Sequence, residues 1–425
     1  MSFIIEKVRK RDGRLEDFNS QKITNAIYKA LRETSEGNYE LAKKLSSEVV
    51  AFLNQKFSGK IPSVEEIQDV VEEVLIKHGL VNTAKAYILY RRWRTNIRET
   101  KRLLGVEDDL KLTINAVRIL ARRYLLRNEK GVIIETPGQM FSRVAKAIAR
   151  AELFYGLDPE RAEKCFFQVM RNLEFLPNSP TLMNAGTEMG QLAACFVLPV
   201  EDSIEGIFDA LKYMAIIHKS GGGTGFSFSR LRPKGDIVKS TMGIASGPIS
   251  FMKIFDVATE VIKQGGKRRG ANMGVLRVDH PDIREFITSK SDGVSLRNFN
   301  ISVAVTDRFM SAVESEGSID LINPRTKEPV KTVSARDLLE LMVDMAWRTG
   351  DPGLLFIDEI NRKNPTPKLG EIEATNPCGE VPLLPFEACN LGSINLSKVV
   401  KNGDIDWDRI LELVWIGVHF LDNVI

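Results

Sequence analysis

The sequence contains little cysteine, no long apolar run and almost no net charge. Its 425 residues include four cysteines, too few for a disulfide framework, and no Cys-x-x-Cys pair of a zinc ribbon or thioredoxin-type motif. No apolar stretch reaches the roughly 18 residues that a membrane span needs, and the first residues lack the apolar core of a secretory signal. The net charge of +3 is too small for a dedicated nucleic-acid binder. We therefore expect a cytoplasmic enzyme without a DNA or membrane partner.

The composition is that of an ordinary globular protein, with 43% hydrophobic and 27% charged residues. Three regions with different patterns follow one another. Residues 1–100 predict a small β-hairpin and four amphipathic helices, the third of which opens with a capping box from Ser63 and Glu66. Residues 101–175 are mostly helical. Residues 176–425 alternate short apolar strands with helices, which predicts an α/β fold.

The final helical stretch, residues 407–425, is strongly apolar and has no capping residue or polar tail. A helix as apolar as this is expected to be buried in a larger domain. We accordingly expect that the chain stops inside a domain, as a fragment or a split product would.

The pentapeptide NPCGE at residues 376–380 carries three chemically useful side chains. In an extended chain alternate side chains share a face, so Asn376, Cys378 and Glu380 would bring an amide, a thiol and a carboxylate together. A thiol can serve as nucleophile or hydrogen-atom donor, and a carboxylate as general base. A turn with a buried cysteine is an equally good interpretation of the same residues.

The other cysteines allow two interpretations. Cys195 and Cys389 would support dithiol–disulfide chemistry if they converge, although free cysteines commonly serve as small core residues. Cys165 lies beside two phenylalanines and is assigned to the core. No metal site is expected, because metal-ligand spacing is absent from the four histidines, His78, His218, His280 and His419.

Two glycine-rich segments could approach a ligand. Residues 221–225 predict a loop whose backbone N–H groups reach a phosphate or sugar. Residues 264–270 predict a basic loop suited to a nucleotide, although a solvated charged turn explains them equally well. Neither segment is a P-loop or a dinucleotide-binding fingerprint.

Taken in order, these motifs resemble the catalytic subunit of ribonucleotide reductase over nearly the whole chain. Residues 8–13 with Phe18 resemble the start of an ATP-cone, and residues 83–91 resemble its closing helix. The catalytic motifs are NSPT at 178–181, AC at 194–195, the glycines at 221–225, the loop 264–270, NPCGE at 376–380 and EACNLGS at 387–393. The resemblance implies an ATP-cone at 1–100, a helical region at 101–175, and at 176–425 the first part of a ten-stranded α/β barrel with the active cysteine on an internal loop.

The resemblance also implies an activity, the reduction of ribonucleotides, expected to be diphosphates, to 2′-deoxyribonucleotides. Cys378 matches the cysteine that becomes a thiyl radical and abstracts the 3′ hydrogen. Glu380 matches the carboxylate that takes the 3′-OH proton, and Asn376 matches the amide that orients the sugar. Cys195 and Cys389 match the reducing pair that ends as a disulfide.

Binding residues are implied in the same way. The expected substrate contacts are Ser179, Thr181, Ala194 and Gly223. The expected contacts of a dNTP specificity effector are Asp202, Arg232 and Lys239, with Gln264 and Arg268 in the loop that relays effector identity. The expected ATP or dATP contacts in the cone are Lys10, Glu16, Asn19 and Lys22.

Two features of the family are absent from the sequence, the substrate-phosphate loop and the C-terminal tail whose cysteines re-reduce the pair. We therefore expect that residues 1–425 alone do not turn over and need a complementing C-terminal segment. The central motifs are closer to class II enzymes, which implies adenosylcobalamin, than to class I enzymes, which need a separate radical-generating subunit. Class III is disfavoured by Glu380. Expected partners are a thioredoxin- or glutaredoxin-type reductant and a second copy of the chain.

Two other functions compete with this one. A nucleotide-sensing repressor built on the cone would need a zinc ribbon, and the cysteines lack that spacing. An inactive nucleotide-binding fragment would keep effector binding without turnover. A Cys378→Ala variant of the completed enzyme separates the reductase from such a fragment.

Overall fold

The computed structural model describes residues 4–10, 13–238, 242–264 and 268–425. The chain divides into two compact units, Met1–Gly105 and Val106–Ile425, and each has a hydrophobic core of its own. Within the described ranges, no helix is both long and apolar enough to cross a bilayer.

The first unit combines a two-stranded antiparallel sheet with four helices, as the sequence predicted. Its elements are β1 (Lys7–Arg9), β2 (Leu15–Asp17), α1 (Ser20–Thr34), α2 (Tyr39–Lys56), α3 (Val64–Lys77) and α4 (Val81–Leu103). The helices bury one face each around Leu31, Val49 and Val70. The capping box is confirmed, because the Ser63 hydroxyl accepts from the Glu66 N–H and the Glu66 carboxylate accepts from the Ser63 N–H.

The second unit begins with helices and continues with alternating strands and helices. Its helices are α5 (Ile114–Arg123), α6 (Pro137–Ala149), α7 (Pro159–Arg171), α8 (Ser179–Asn184), α9 (Ile204–Ser220), α10 (Pro248–Val261), α11 (Ile283–Thr288), α12 (Asp307–Glu314), α13 (Ala335–Thr349), α14 (Ile357–Arg362) and α15 (Trp407–Val424). Its first strands are β3 (Phe175–Pro177), β4 (Cys195–Pro199), β5 (Gly223–Ser227), β6 (Ile237–Val238), β7 (Gly243–Ile244), β8 (Lys263–Gln264), β9 (Arg268–Arg269), β10 (Asn272–Arg277) and β11 (Phe299–Val305). Those that follow are β12 (Ser318–Ile322), β13 (Pro329–Ser334), β14 (Gly353–Phe356), β15 (Ala374–Thr375), β16 (Pro382–Leu383), β17 (Ala388–Cys389), β18 (Gly392–Ile394), β19 (Val400–Lys401) and β20 (Asp404–Ile405).

Six strands form the main sheet, in the order β14-β11-β10-β5-β4-β17. Neighbouring strands from β14 to β4 are parallel, and β17 is antiparallel to β4 at the edge. Parallel neighbours need crossover connections, and helices supply them here. The predicted α/β fold is therefore confirmed, and the sheet curls into half of a barrel.

The two faces of this sheet have different partners, because successive strand side chains point to opposite sides. The outer face carries Phe226 and Leu276, which pack in one large core with helices α9 to α13. The inner face carries Val197 and Met273, which pack against the segment that includes β15 and β16. The inner face is therefore a platform on which residues 374–383 lie.

The glycine-rich segment is mostly a strand, so the loop prediction is wrong. Gly221 has a φ of 94° and ends α9, whereas Gly223–Ser227 is β5 in the middle of the sheet. The Gly223 N–H donates to the Ala194 carbonyl at 2.8 Å. The backbone groups of this strand thus serve the sheet and not a phosphate.

The C-terminal helix α15 packs against α6, α7 and β18 through Leu413, Gly417 and Phe420. Its opposite side exposes Trp415. Cys165 on α7 is only half-buried, which corrects its assignment to the core, although partial burial still raises the pKa of its thiol.

Candidate active site

Residues 374–383 cross the inner face of the sheet at two glycines of β5. A Cβ on Gly225 would lie 1.8 Å from the Thr375 carbonyl oxygen. A Cβ on Gly223 would lie 2.8 Å from Cγ of Pro377. Only residues without side chains permit so close a crossing. The glycines of the strand are therefore required by the NPCGE segment that lies on them.

The NPCGE segment is a turn, so the predicted alternation of an extended chain is wrong. The Gly379 N–H donates to the Asn376 carbonyl at 3.0 Å, which closes a four-residue β-turn. Pro377 takes the second position, where its fixed φ suits a turn, and Gly379 has a φ of 86°. Asn376 is buried, while Cys378 and Glu380 are exposed. The competing interpretation is correct about the turn and wrong about the burial of the cysteine.

The buried amide of Asn376 joins the turn to its surroundings. Its Oδ1 accepts hydrogen bonds from the Val381 N–H at 3.0 Å and from the Thr375 hydroxyl at 3.2 Å. Its Nδ2 donates to Sγ of Cys195 at 3.7 Å. Because a buried polar group that loses its partner costs about 1–3 kcal/mol, these bonds hold the turn against Cys195.

Cys195 and Cys389 lie directly opposite each other on β4 and β17. Opposite residues of an antiparallel pair have Cα atoms about 4.5–5.5 Å apart and side chains on the same face. Both residues are thiols and are buried, with exposed fractions of 6% and 9%, beside Ala194. The hydrogen bond with Cys195 and, next, burial raise the pKa of Cys389, and the charge of Glu380 raises it further. Cys389 is therefore held as a protonated thiol opposite Cys195.

The residues expected to contact substrate lie close to this pair in the chain or in space. α8 carries two of them, and the Asn178 N–H just before it donates to the Leu391 carbonyl at 2.8 Å, two positions after the second cysteine of the pair. Three hydrogen bonds fix the four expected contacts: Ser179 Oγ with Tyr124 Oη (2.8 Å), Thr181 Oγ1 to Leu192 O (3.1 Å), and Gly223 N to Ala194 O (2.8 Å).

Two of the residues expected at the specificity-effector site form an ion pair. Nε of Arg232 donates to both carboxylate oxygens of Asp202, at 2.9 and 3.1 Å, and the Arg232 main-chain N–H donates to Oδ1 at 3.1 Å. The main chains of Gln264 and Arg268 pair with each other in the hairpin β8–β9. Their side chains, and the whole of Lys239, lie outside the described residues.

The four residues expected to contact ATP or dATP meet at one end of α1 in the first unit. Glu16 lies 3.0 Å from Nζ of Lys10 and 3.5 Å from Nζ of Lys22. The hydrogen bond from Lys10 lowers the pKa of Glu16. The Asn19 side chain caps α1 by accepting from the Gln21 N–H at 2.9 Å. Two ammonium groups beside a helix N-terminus suit a phosphate chain.

Asn300 on β11 is a site residue that the sequence interpretation missed. Its Nδ2 donates to the carbonyl of Pro377 at 2.6 Å. An asparagine in the mostly apolar strand Phe299–Val305 was the signal that could have identified it. Gly225 was noticed only as part of a glycine run, without the crossing segment that explains it.

The arrangement offers thiol, carboxylate and amide groups in two environments. The thiol of Cys378 and the carboxylate of Glu380 are accessible, whereas Cys195 and Cys389 are enclosed. A cross-strand dithiol can give up two electrons by forming a disulfide. Within the described part of the chain, no three His, Cys, Asp or Glu side chains converge as metal ligands.

Three protein families match successive parts of the sequence. They are an ATP cone domain at residues 6–96, the all-alpha domain of ribonucleotide reductase at 110–190, and the barrel domain of ribonucleotide reductase at 193–425. The matches follow the order that the motifs indicated.

Relatives give the same result. The vitamin B12-dependent ribonucleoside-diphosphate reductase of Thermoplasma acidophilum is 53% identical over 99% of this chain and 63% of its own length. Its counterpart in Mycobacterium tuberculosis (strain CDC 1551 / Oshkosh) is 49% identical over 99% of this chain and 60% of its own length. The ribonucleoside-diphosphate reductase large subunit of Trypanosoma brucei brucei is 32% identical over 76% of this chain and 42% of its own length.

The chain therefore spans 63% and 60% of the two vitamin B12-dependent relatives. The barrel-domain match alone covers residues 193–425, which is more than half of the sequence. On the family match, the relatives and the fold together, this chain belongs to the ribonucleotide reductase family.

Proposed function

We propose that this chain carries the reacting thiols of an enzyme that reduces ribonucleotides, and specifically ribonucleoside diphosphates, to 2′-deoxyribonucleotides. One observation carries the proposal. An exposed cysteine, Cys378, lies on a turn whose Asn376 amide contacts Cys195, and Cys195 is the cross-strand partner of Cys389. A radical thiol and a reducing dithiol are the two groups that this reaction requires.

The reaction starts at Cys378. Its sulfur, once it has lost a hydrogen atom, takes the 3′ hydrogen of the ribose and later returns it. Glu380 accepts the 3′-OH proton, since a carboxylate within hydrogen-bond reach serves as general base. The 2′-OH then leaves as water. The overall exchange balances: two thiols and one C–OH become one disulfide, one C–H and one water.

The dithiol of Cys195 and Cys389 supplies the two electrons and two protons of that exchange. The pKa of Cys389 is raised, first by its hydrogen bond with Cys195 and then by burial, so it stays protonated as a hydrogen donor at neutral pH. Cross-strand pairing of the two cysteines supports this role, because opposite positions on antiparallel strands have the Cα spacing that a disulfide needs. A thioredoxin- or glutaredoxin-type protein would then reduce this disulfide.

Asn376 would orient the sugar. Its Oδ1 is already bound by Val381 and Thr375, and one hydrogen of Nδ2 is directed at Cys195. The second hydrogen of the same Nδ2 is the group proposed to donate to a ribose hydroxyl. The expected substrate contacts Thr181 and Ser179 then lie on α8, at one side of the pair.

Adenosylcobalamin is the proposed source of the radical. The two relatives with the higher identity are named vitamin B12-dependent, at 53% and 49%, whereas the large subunit of Trypanosoma brucei brucei is 32% identical. When bound, adenosylcobalamin would supply an organic radical, and Cys378 is the residue that would present its thiol to it. The alternative, a separate radical-generating subunit, requires the same accessible thiol.

Nucleotide effectors are proposed at two places. ATP or dATP would bind at Lys10, Glu16, Asn19 and Lys22, and a dNTP would bind near Asp202 and Arg232. Asp202 lies just before α9, whose exposed side chains include Phe208 and Ile216, and α10 exposes Val257 and Val261. We propose that a second copy of the chain covers these two helices, because exposed apolar faces of this kind mark interaction sites. A cytoplasmic location is proposed on the strength of the activity.

The test uses the full-length enzyme with adenosylcobalamin as the sole radical source. Cys378→Ala is expected to abolish deoxynucleotide formation while ATP binding stays unchanged. Cys165→Ser is the matched control, since Cys165 lies on α7 outside the site, and should keep turnover. Turnover by Cys378→Ala would disprove the proposed role. Turnover that requires a second protein instead of the cofactor would favour the alternative radical source.

A further inference from the structure

We propose that Asn300 is a positioning residue that sets the direction of the Cys378 thiol. This inference rests on the proposed radical role of Cys378. Asn300 lies on β11, with its Cα opposite Met273 of β10, on the inner face of the sheet. Its Nδ2 donates a 2.6 Å hydrogen bond to the Pro377 carbonyl, 77 positions later in the chain.

The Pro377 carbonyl belongs to the central peptide of the turn, the one that joins Pro377 to Cys378. In β-turns this is the peptide that reverses between type I and type II. Type II requires a positive φ at the third position, which is Cys378 here, and Cys378 has no positive φ. The carbonyl that Asn300 holds would point the other way in a type II turn. The hydrogen bond therefore adds to the preference of a non-glycine residue at the third position for type I, and we infer that it fixes the direction of the cysteine side chain.

The other contacts of the turn do not depend on the orientation of the Pro377–Cys378 peptide. The Thr375 carbonyl lies against Gly225, and the ring of Pro377 lies against Gly223. Both contacts involve atoms that precede the central peptide in the chain. The bond from the Gly379 N–H to the Asn376 carbonyl closes the turn and occurs in either type. Proline is common at the second position of both types. Asn300 thus makes a side-chain bond that depends on the orientation of the central peptide.

The test compares Asn300→Asp and Asn300→Ala with Asn364→Asp. Asn300→Asp keeps the side-chain shape, removes both N–H donors and places a carboxylate oxygen against the Pro377 carbonyl. Asn300→Ala removes the donors without adding charge. Asn364 is the control because its Nδ2, like that of Asn300, donates to a main-chain carbonyl, that of Gly370 at 3.0 Å.

The first readout is independent of turnover. The rate at which iodoacetamide labels Cys378 is measured by mass spectrometry on the folded chain. Both Asn300 variants are expected to change this rate about threefold or more, the size expected for the loss of one hydrogen bond. Asn364→Asp is expected to label at the rate of the unchanged chain. Thermal unfolding shows whether each variant is folded at the labelling temperature.

The second readout is turnover by the full-length enzyme. Both Asn300 variants are expected to lower kcat about tenfold, with KM within about twofold, because a misdirected thiol affects the reaction more than substrate binding. Folded Asn300 variants with unchanged labelling and unchanged kcat would overturn the inference while Cys378→Ala still abolished turnover. If Cys378→Ala kept turnover, the proposed function itself would fail, whatever Asn300 does.

Discussion

Mild oxidation of the folded chain is expected to join Cys195 to Cys389 and to leave Cys378 and Cys165 as thiols. The first two residues are directly opposite each other on β4 and β17. Opposite Cα atoms in antiparallel strands lie about 4.5–5.5 Å apart, inside the range of about 4.4–6.8 Å that disulfides require. The bond can thus form within the existing strand pairing.

The expected stabilisation follows from the length of chain that this bond encloses. The positions differ by 389 − 195 = 194. In the chain-entropy account a loop of about 100 residues gives about 4.7 kcal/mol, and the gain grows only with the logarithm of length, so about 5 kcal/mol is expected here. Strain in the folded state would lower that value, but strands already in register limit the strain.

The assay has two parts, both on the same oxidised sample. Non-reducing peptide mapping by mass spectrometry identifies the linked cysteines. Guanidinium unfolding of oxidised and reduced chain then gives the difference in the free energy of unfolding. Cys389→Ser is the control that removes the bond, and Cys165→Ser is the matched control that should keep both the bond and the stabilisation.

Two results would contradict the reasoning. A link between Cys378 and either buried cysteine, formed in preference to Cys195–Cys389, would mean that the strand register does not govern the thiols. An oxidised chain with the expected link but lower stability than the reduced chain would mean that the pair is strained. Either result would remove the structural support for a reducing dithiol.

Three further predictions concern the glycine strand, a buried histidine and the cone. Gly225→Ala should destabilise the chain by about 1–3 kcal/mol in thermal unfolding and change Cys378 labelling, because its Cβ would lie 1.8 Å from a main-chain oxygen; normal values for both would show that the crossing can shift freely. Burial lowers the pKa of His218 from 6.5 to about 4, so the unfolded chain binds a proton between these values and the folded chain does not. Stability should therefore fall by about 3 kcal/mol as the pH drops from about 6.5 to about 4, and a pH series of unfolding curves should be flatter by that amount in His218→Gln; an equal slope would mean that the histidine is charged in the fold. Lys22→Ala should weaken ATP binding to the full chain about threefold to tenfold in calorimetry by removing one of the two ammonium groups near Glu16; unchanged affinity would place the phosphates elsewhere.

The sequence predicted those elements whose conformation depends on residues that are near one another in the chain. Ser63 and Glu66 satisfy each other's N–H groups at the start of α3, and the capping box was therefore visible in sequence. The strand Phe299–Val305 is one of the short apolar strands whose alternation with helices was predicted, and all but one of its residues are buried. Such elements can be predicted without knowing which distant residues they contact.

The glycine strand β5 could not be predicted in this way, because the reason for its glycines lies about 150 positions later. Gly223 and Gly225 are required by the crossing of Thr375 and Pro377. Glycine has a low strand propensity and contributes no side chain to the alternation of apolar and polar residues that identifies a strand. The sequence therefore gives no strand signal where another segment must approach the backbone closely. Strand prediction from sequence therefore fails at β5, the strand on which the candidate site lies.

The NPCGE turn differs from β5, because its signal was present in the sequence and the turn was one of two interpretations left open. Proline at the second position and glycine after the third are typical of a β-turn, and the alternation argument required an extended chain that these residues disfavour. The correct conformation gives a better account of the chemistry. In an extended segment Asn376 and Cys378 would share one environment, whereas the turn buries the first and exposes the second. The turn therefore gives Asn376 and Cys378 different surroundings, with the buried amide contacting Cys195 and the thiol exposed.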